Sequence, residues 1–189
     1  MKTIKRFKPL MITLVIGVFL SACSQNKTHK SAEEMTHDHS QMEMPEPKEM
    51  TPMTASVSKE QAQSILSAYL IVKEALVKTD GEAASAAAKT LLDALGDSQG
   101  EMIDKIRFDA EHINGTKDAD HQRDHFNTLS DNVYEIVKST SANEATLYRQ
   151  FCPMALDNKG AYWLSYEKEI MNPYFGDKML KCGAVKEEI

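Results

Sequence analysis

Cys152 and Cys182 are the residues with the clearest capacity for chemistry, and each has a methionine two or three positions away, Met154 and Met179. Thiols and thioethers are soft donors, so a reduced pair flanked by these methionines suits Cu(I) or another soft metal ion. The same cysteines can instead oxidise to a disulfide, which across this loop contributes about 3.5 kcal/mol by the chain-entropy estimate. A bare clasp has no need of thioethers, which tilts the reading toward the metal, although methionine also fills gaps in cores. A thiol redox role fits less well, because neither cysteine belongs to a Cys-x-x-Cys pair.

Histidine supplies further donors. His121 and His125 are four apart and share one face of a helix, a spacing that allows two imidazoles to hold one ion. His112 falls near the end of the preceding helix, so antiparallel packing lets all three converge. His121 reads as part of the solvated face Asp118–His125, whereas His125 precedes the core residue Phe126 and is the candidate fifth ligand beside the sulfur set. A second soft reservoir lies upstream, where Met35, Met42, Met44, Met50 and Met53 mix with His29, His37 and His39. His37, His39, Met42 and Met44 are its densest part and could capture metal without a prebuilt cage. No carboxylate pair, nucleophile with a nearby base, phosphate loop or cofactor fingerprint argues for an enzyme.

The address of the chain sets the redox state of its thiols. Lys2, Lys5, Arg6 and Lys8 precede an apolar run from Leu10 to Leu20, too short to span a bilayer, and Leu20-Ser21-Ala22-Cys23 follows. That is a lipoprotein signal over 1–22 with Cys23 as the lipidated anchor, placing the domain in the cell envelope at the inner or outer membrane. Using Cys23 for lipid leaves an even cysteine pair in an oxidising compartment. Loss of the four leader charges takes the formal charge from −6 to −10. An acidic chain without basic clusters is a poor ligand for phosphate backbones, so nucleic acid is excluded as a partner.

Residues 23–57 are poor in large apolar side chains and rich in Glu, Lys, Ser, Thr and Pro, the composition of a disordered linker. Behind it, roughly 130 residues are enough for one domain with one core. Ser58-Lys59-Glu60-Gln61 reads as a capping box, with Gln61 reaching back, and apolar residues at helical spacing predict a helix over 59–78. Asp80-Gly81 breaks it; an alanine-rich helix follows over 82–95, closed by Gly96. Ser98 is the expected cap of a third helix ending at Asn114-Gly115, and a fourth spans 117–139. Four amphipathic helices with short connections predict a mainly α fold, an antiparallel up-and-down four-helix bundle.

Residues 145–185 change character and form a small β-hairpin-like cysteine module on the 58–189 domain. Thr146 to Phe151 read as a strand, Asp157-Asn158-Lys159-Gly160 as a tight turn and Ala161–Leu164 as the partner strand. Glu167–Ile170 reads as a helical turn and Lys178–Val185 as a last strand. Trp163, Tyr174 and Phe175 are core residues of this module, with shielding of a Cu(I) site as a secondary role.

The module's motifs are Cys152-Pro153-Met154-Ala155, Asp157 to Ser165, Asn172-Pro173-Tyr174-Phe175-Gly176 and Met179-Leu180-Lys181-Cys182-Gly183. Over about 60–187 the chain resembles an uncharacterised bacterial domain family. That family occurs as envelope lipoproteins and fused to membrane-fusion subunits of copper and heavy-metal efflux pumps. The resemblance implies a metal-handling context and efflux-system or other envelope proteins as partners. Cys-Pro-Met with Met-x-x-Cys-Gly is also similar to small heavy-metal-binding modules of copper transport proteins. The leading expectation is an envelope lipoprotein that binds copper or a related soft metal for sequestration or delivery. The alternative is a structural or interaction domain closed by a Cys152–Cys182 disulfide.

Overall fold

A computed structural model describes residues 57–189; the expected leader, the anchor Cys23 and the linker ligands His37, His39, Met42 and Met44 lie outside the described residues. Four helices come first: α1 (Lys59–Val77), α2 (Gly81–Leu95), α3 (Glu101–Asn114) and α4 (Ala119–Thr140). α1 packs on α2 and α4, and α3 packs on the same two. The shared core is apolar at helical spacing, with Ile65, Leu66, Tyr69, Val72 and Leu76 of α1 facing Leu91, Ile106, Phe126 and Val133. Buried alanines at 84, 87 and 88 let α2 approach closely. Among the described residues no helix is long and apolar enough to cross a membrane.

The helix ends follow local chemistry, with three departures from the sequence reading. Ser58 caps α1 by accepting the Gln61 N–H, but the Gln61 side chain does not reach back. It donates instead to the Leu95 carbonyl at 3.1 Å and the Ser98 hydroxyl at 2.7 Å, tying the start of α1 to the end of α2. Ser98 is therefore occupied, and α3 begins after Gly100 without a side-chain cap. Asp80-Gly81 breaks the chain and also starts the next helix. Asp80 caps α2, and Gly81 is its first residue, where a Cβ would lie 1.9 Å from the Lys117 carbonyl oxygen.

The C-terminal part is more than a hairpin. β1 (Tyr148–Cys152) sits between β2 (Ala161–Ser165) and β3 (Ala184–Glu188) in a three-stranded antiparallel sheet. Cys152 faces Ala161 across β1–β2, and Tyr148 faces Glu188 across β1–β3 after an irregularity between Arg149 and Gln150. The last strand lies at Ala184–Glu188 rather than 178–185, because residues 176–182 are used in turns. Residues 167–170 bend without forming a helical turn. The carbonyls of Glu167, Lys168 and Glu169 instead accept from the buried Gln150 amide, the closest at 2.9 Å.

The sheet is fixed to the helices by polar groups at defined points. The Leu164 N–H donates to the Tyr69 hydroxyl (3.0 Å), which donates to Ser130 (2.9 Å), whose hydroxyl donates to the Phe126 carbonyl (2.7 Å). Burial pushes the Tyr69 phenol well above its ordinary value, so it stays a neutral member of that chain. Arg149 lies 3.9 Å from the Tyr134 ring and 4.1 Å from the Tyr162 ring, joining α4 to β2 through a cation held by two π faces.

Candidate thiol site and the loop that carries it

Cys152 is delivered by β1. It is the last residue of that strand, fully buried, and its backbone is fixed by the ladder to Ala161. Cys182 comes from a turn closed by its own N–H donating to the Met179 carbonyl at 3.0 Å. The two sulfurs, 30 residues apart in sequence, stand 2.7 Å from each other. Both are free thiols in the structure, at more than the about 2.05 Å of a disulfide bond. The fold therefore presents the thiols to each other as a pair. Contact with Cys152 and burial raise the Cys182 thiol from 9.0 to about 11, so a reduced Cys182 is protonated at neutral pH.

The turn that aims Cys182 is built by Asn172, which is fully buried. Its amide donates to the Cys182 carbonyl at 2.7 Å, while its Oδ1 accepts the N–H groups of Tyr174 (2.8 Å) and Phe175 (3.2 Å). Its own N–H donates to the Leu180 carbonyl. One side chain thus closes the turn after Pro173 and holds the cysteine loop. Gly183 follows at φ +144°, where a Cβ would meet the Trp163 ring at 2.9 Å, so the chain can cross the indole only with glycine there. Gly176 has φ +54°, and a Cβ would lie 2.3 Å from the Thr79 hydroxyl.

Arg123 locks this segment to the helices. It is buried, and its guanidinium donates to Pro173 O (2.8 Å), Leu76 O (3.1 Å), the Thr79 hydroxyl (2.9 Å) and the Asp120 carboxylate (2.7 Å). The motif Asn172 to Gly176 is thus accounted for by architecture. The sequence marks Asn172-Pro173-Tyr174-Phe175-Gly176 as a motif without showing what Asn172 holds, and gives Arg123 no role. The available signal was a polar residue placed inside an aromatic-rich run.

The other expected ligands separate into two places. Met154, about half exposed, and Met179 line one open cleft of about 400 Å³ together with Asp157 and Phe175, and neither cysteine lines it. Beside it, Leu156, Asp157 and Asn158 have φ of 51°, 56° and 66°, an unusual left-handed run that returns the chain from β1 to β2. His125 is elsewhere in its contacts. Its Nδ1 is 3.2 Å from Asp109 Oδ1, and its ring lies against Phe108, His112 and His121, all on α3 or α4. Cys152 and Cys182 are brought together as a pair, Met154 and Met179 line a common cleft, and His125 makes its contacts with residues of α3 and α4. Among the described residues, no group of three or more His, Cys, Asp or Glu side chains is placed so that it could hold a metal ion.

A family model described as "Protein of unknown function (DUF3347)" matches residues 65–145. The chain is similar to that uncharacterised domain family from within α1 to just before β1. The matched stretch includes His112, His121 and His125 and stops short of Cys152, Cys182 and the motifs around them. No curated protein and no solved structure matches the chain.

Proposed function

We propose that this chain is a lipid-anchored envelope protein whose domain is closed by a Cys152–Cys182 disulfide and acts by docking on efflux-system or other envelope proteins. The observation that carries this reading is the 2.7 Å approach of the two sulfurs, held by β1 on one side and by the Asn172 turn on the other. Leu20-Ser21-Ala22-Cys23 and the basic, apolar leader before it support the envelope location. An oxidising compartment then favours the bond. The short connections and the helix neighbours support an antiparallel up-and-down bundle as the body that bears the clasp. In this reading the protein is not an enzyme.

A second reading has its own support. Cys182 is only half-buried, and Met154 and Met179 share one cleft, so reduction would expose soft donors on neighbouring segments. In that state the chain would bind Cu(I) or a related soft ion for sequestration or delivery, with the linker residues His37, His39, Met42 and Met44 as an upstream capture strand.

Thiol counting separates the two. The mature chain, with Cys23 blocked by its lipid and purified in air, is expected to show no free thiol before reduction and two after it. Cu(I) titration of the reduced chain against a competing chelator is expected to give the same affinity in wild type and in the Cys152→Ser/Cys182→Ser double variant. Two free thiols before reduction, with a Cu(I) affinity that falls tenfold or more in the double variant, would overturn the clasp and establish the soft-metal reading.

A further inference from the structure

A cleft of about 730 Å³ runs along the seam between α3 and α4. Glu101, Asp104, Lys105 and Phe108 line it from α3 at i, i+3, i+4 and i+7, and Asp131 and Asn132 face them from α4. That stripe is about two helical turns long, roughly 10 Å. Phe108 is 54% exposed, yet its ring is braced by His112 at 4.2 Å and by His125 at 5.8 Å between centroids. It belongs neither to the core nor to the cysteine loop. An aromatic ring already held in place gives up little conformational freedom when a partner covers it, which is what an interface anchor needs.

The charge around the ring selects the partner. Glu101, Asp104 and Asp131 are all exposed at the rim, against one lysine on the same walls, Lys105. Lys105 pairs with Glu101 at 2.7 Å and Arg149 with Asp131 at 2.9 Å, while Asp104 has no ion pair among the described residues. Exposed pairs of this kind contribute little, so an incoming cation can exchange with them. Asp104 and Phe108 are neighbours one helical turn apart. A lysine or arginine arriving there meets a carboxylate and a π face together.

The same rim turns other occupants away. Anionic phospholipid headgroups and a second copy of this acidic chain both meet like charge there. An extended peptide gains nothing from the walls, because every lining residue belongs to α3 or α4 and offers no sheet edge. What remains is an occupant that docks side chains at helical spacing, matching the stripe it covers.

We infer that this groove is the docking surface for a cationic amphipathic helix of another envelope protein. The helix lays its apolar side chains along Phe108 and sets Lys or Arg against Glu101, Asp104 and Asp131. The inference rests on the docking reading above and adds to it the surface used and the chemistry of the partner. The groove shares no side chain with the sulfur pair, so it stands whether or not Cys152 and Cys182 form a bond.

Two measurements on the full chain test it, with all variants checked by far-UV circular dichroism. In the first, a labelled helical peptide of leucine and lysine, with leucine at i, i+3, i+4 and i+7, is titrated by fluorescence anisotropy. Binding is expected, weakened at least about fivefold by Phe108→Ala and about tenfold by Asp104→Lys, and absent when glutamate replaces the peptide's lysines. The proposal is overturned if the lysine peptide does not bind, if both peptides bind equally, or if either variant binds as wild type does.

In the second, a photoreactive phenylalanine analogue replaces Lys105 in the groove or Ile71, an exposed apolar residue of α1, in the cells that make the protein. A crosslink from position 105 is expected, to a mapped segment of another protein that reads as a basic amphipathic helix, and its loss is expected in Asp104→Lys. Crosslinks from position 71 alone would overturn the groove and leave the docking reading standing. No crosslink from either position would remove both. A crosslink from position 105 to a second copy of this chain, or to an acidic segment, also overturns the proposal.

Discussion

Asn172 satisfies a carbonyl and two N–H groups with one buried side chain, and all three belong to the loop that presents Cys182. Removing it leaves those groups without partners where water does not reach, at about 1–3 kcal/mol for a buried polar group left unpaired. Asn172→Ala is therefore expected to destabilise the domain by about 3 kcal/mol, read as a lower urea midpoint at unchanged slope. The same variant is expected to form the Cys152–Cys182 bond more slowly on air oxidation, because Cys182 is no longer aimed. A variant that loses stability but oxidises at the wild-type rate would show that Asn172 supports the fold without positioning the thiol. The cysteines and their methionine neighbours were legible as chemistry from residue type alone. Asn172 was not, since nothing local distinguishes an asparagine that ends a turn from one that organises it. Its three partners come from positions 174, 175 and 182, which only the folded loop brings together.

At the scale of elements, periodicity and caps located the helices to within about two residues, because each buries one continuous apolar stripe. The C-terminal strands were harder to read. β3 alternates between partly buried and exposed residues, and its pairing with β1 is fixed by contacts 33–40 positions away in sequence. Between these layers stands Arg123, which binds the end of α1, the first turn of α4 and Pro173 at once. A lysine offers one ammonium in place of the planar fork and cannot reach all of these acceptors. Arg123→Lys is expected to destabilise by about 2–3 kcal/mol. The loss should concentrate in the C-terminal segment, with hydrogen-exchange protection falling at Tyr174 to Cys182 before it falls in α2. Uniform loss of protection across α2 and the sheet would contradict a local tether.

For the domain as a whole, the clasp and the ionisation of its thiols make stability depend on redox state and pH together. Closing the loop between Cys152 and Cys182 contributes about 3.5 kcal/mol by constraining the unfolded chain, which for ~130 residues corresponds to roughly 10 °C in Tm. Reduction adds a second effect. Folding raises the Cys182 thiol from 9.0 to about 11 through its contact with Cys152 and through burial. The folded reduced chain thus holds a proton that the unfolded chain releases at lower pH. That contribution is complete below pH 9 and is lost as pH rises toward 11. Tyr69 and Tyr174, both raised by burial, weaken either form at still higher pH. The oxidised chain has no Cys182 thiol to titrate, so only the reduced chain carries the earlier loss. Urea midpoints of both forms at pH 7, 8 and 10.5 are expected to show a gap that is nearly constant between the first two and wider at the third. A gap that stays constant to pH 10.5 would mean that Cys182 ionises in the folded chain as it does in the unfolded one, and that the sulfurs do not shelter each other from solvent.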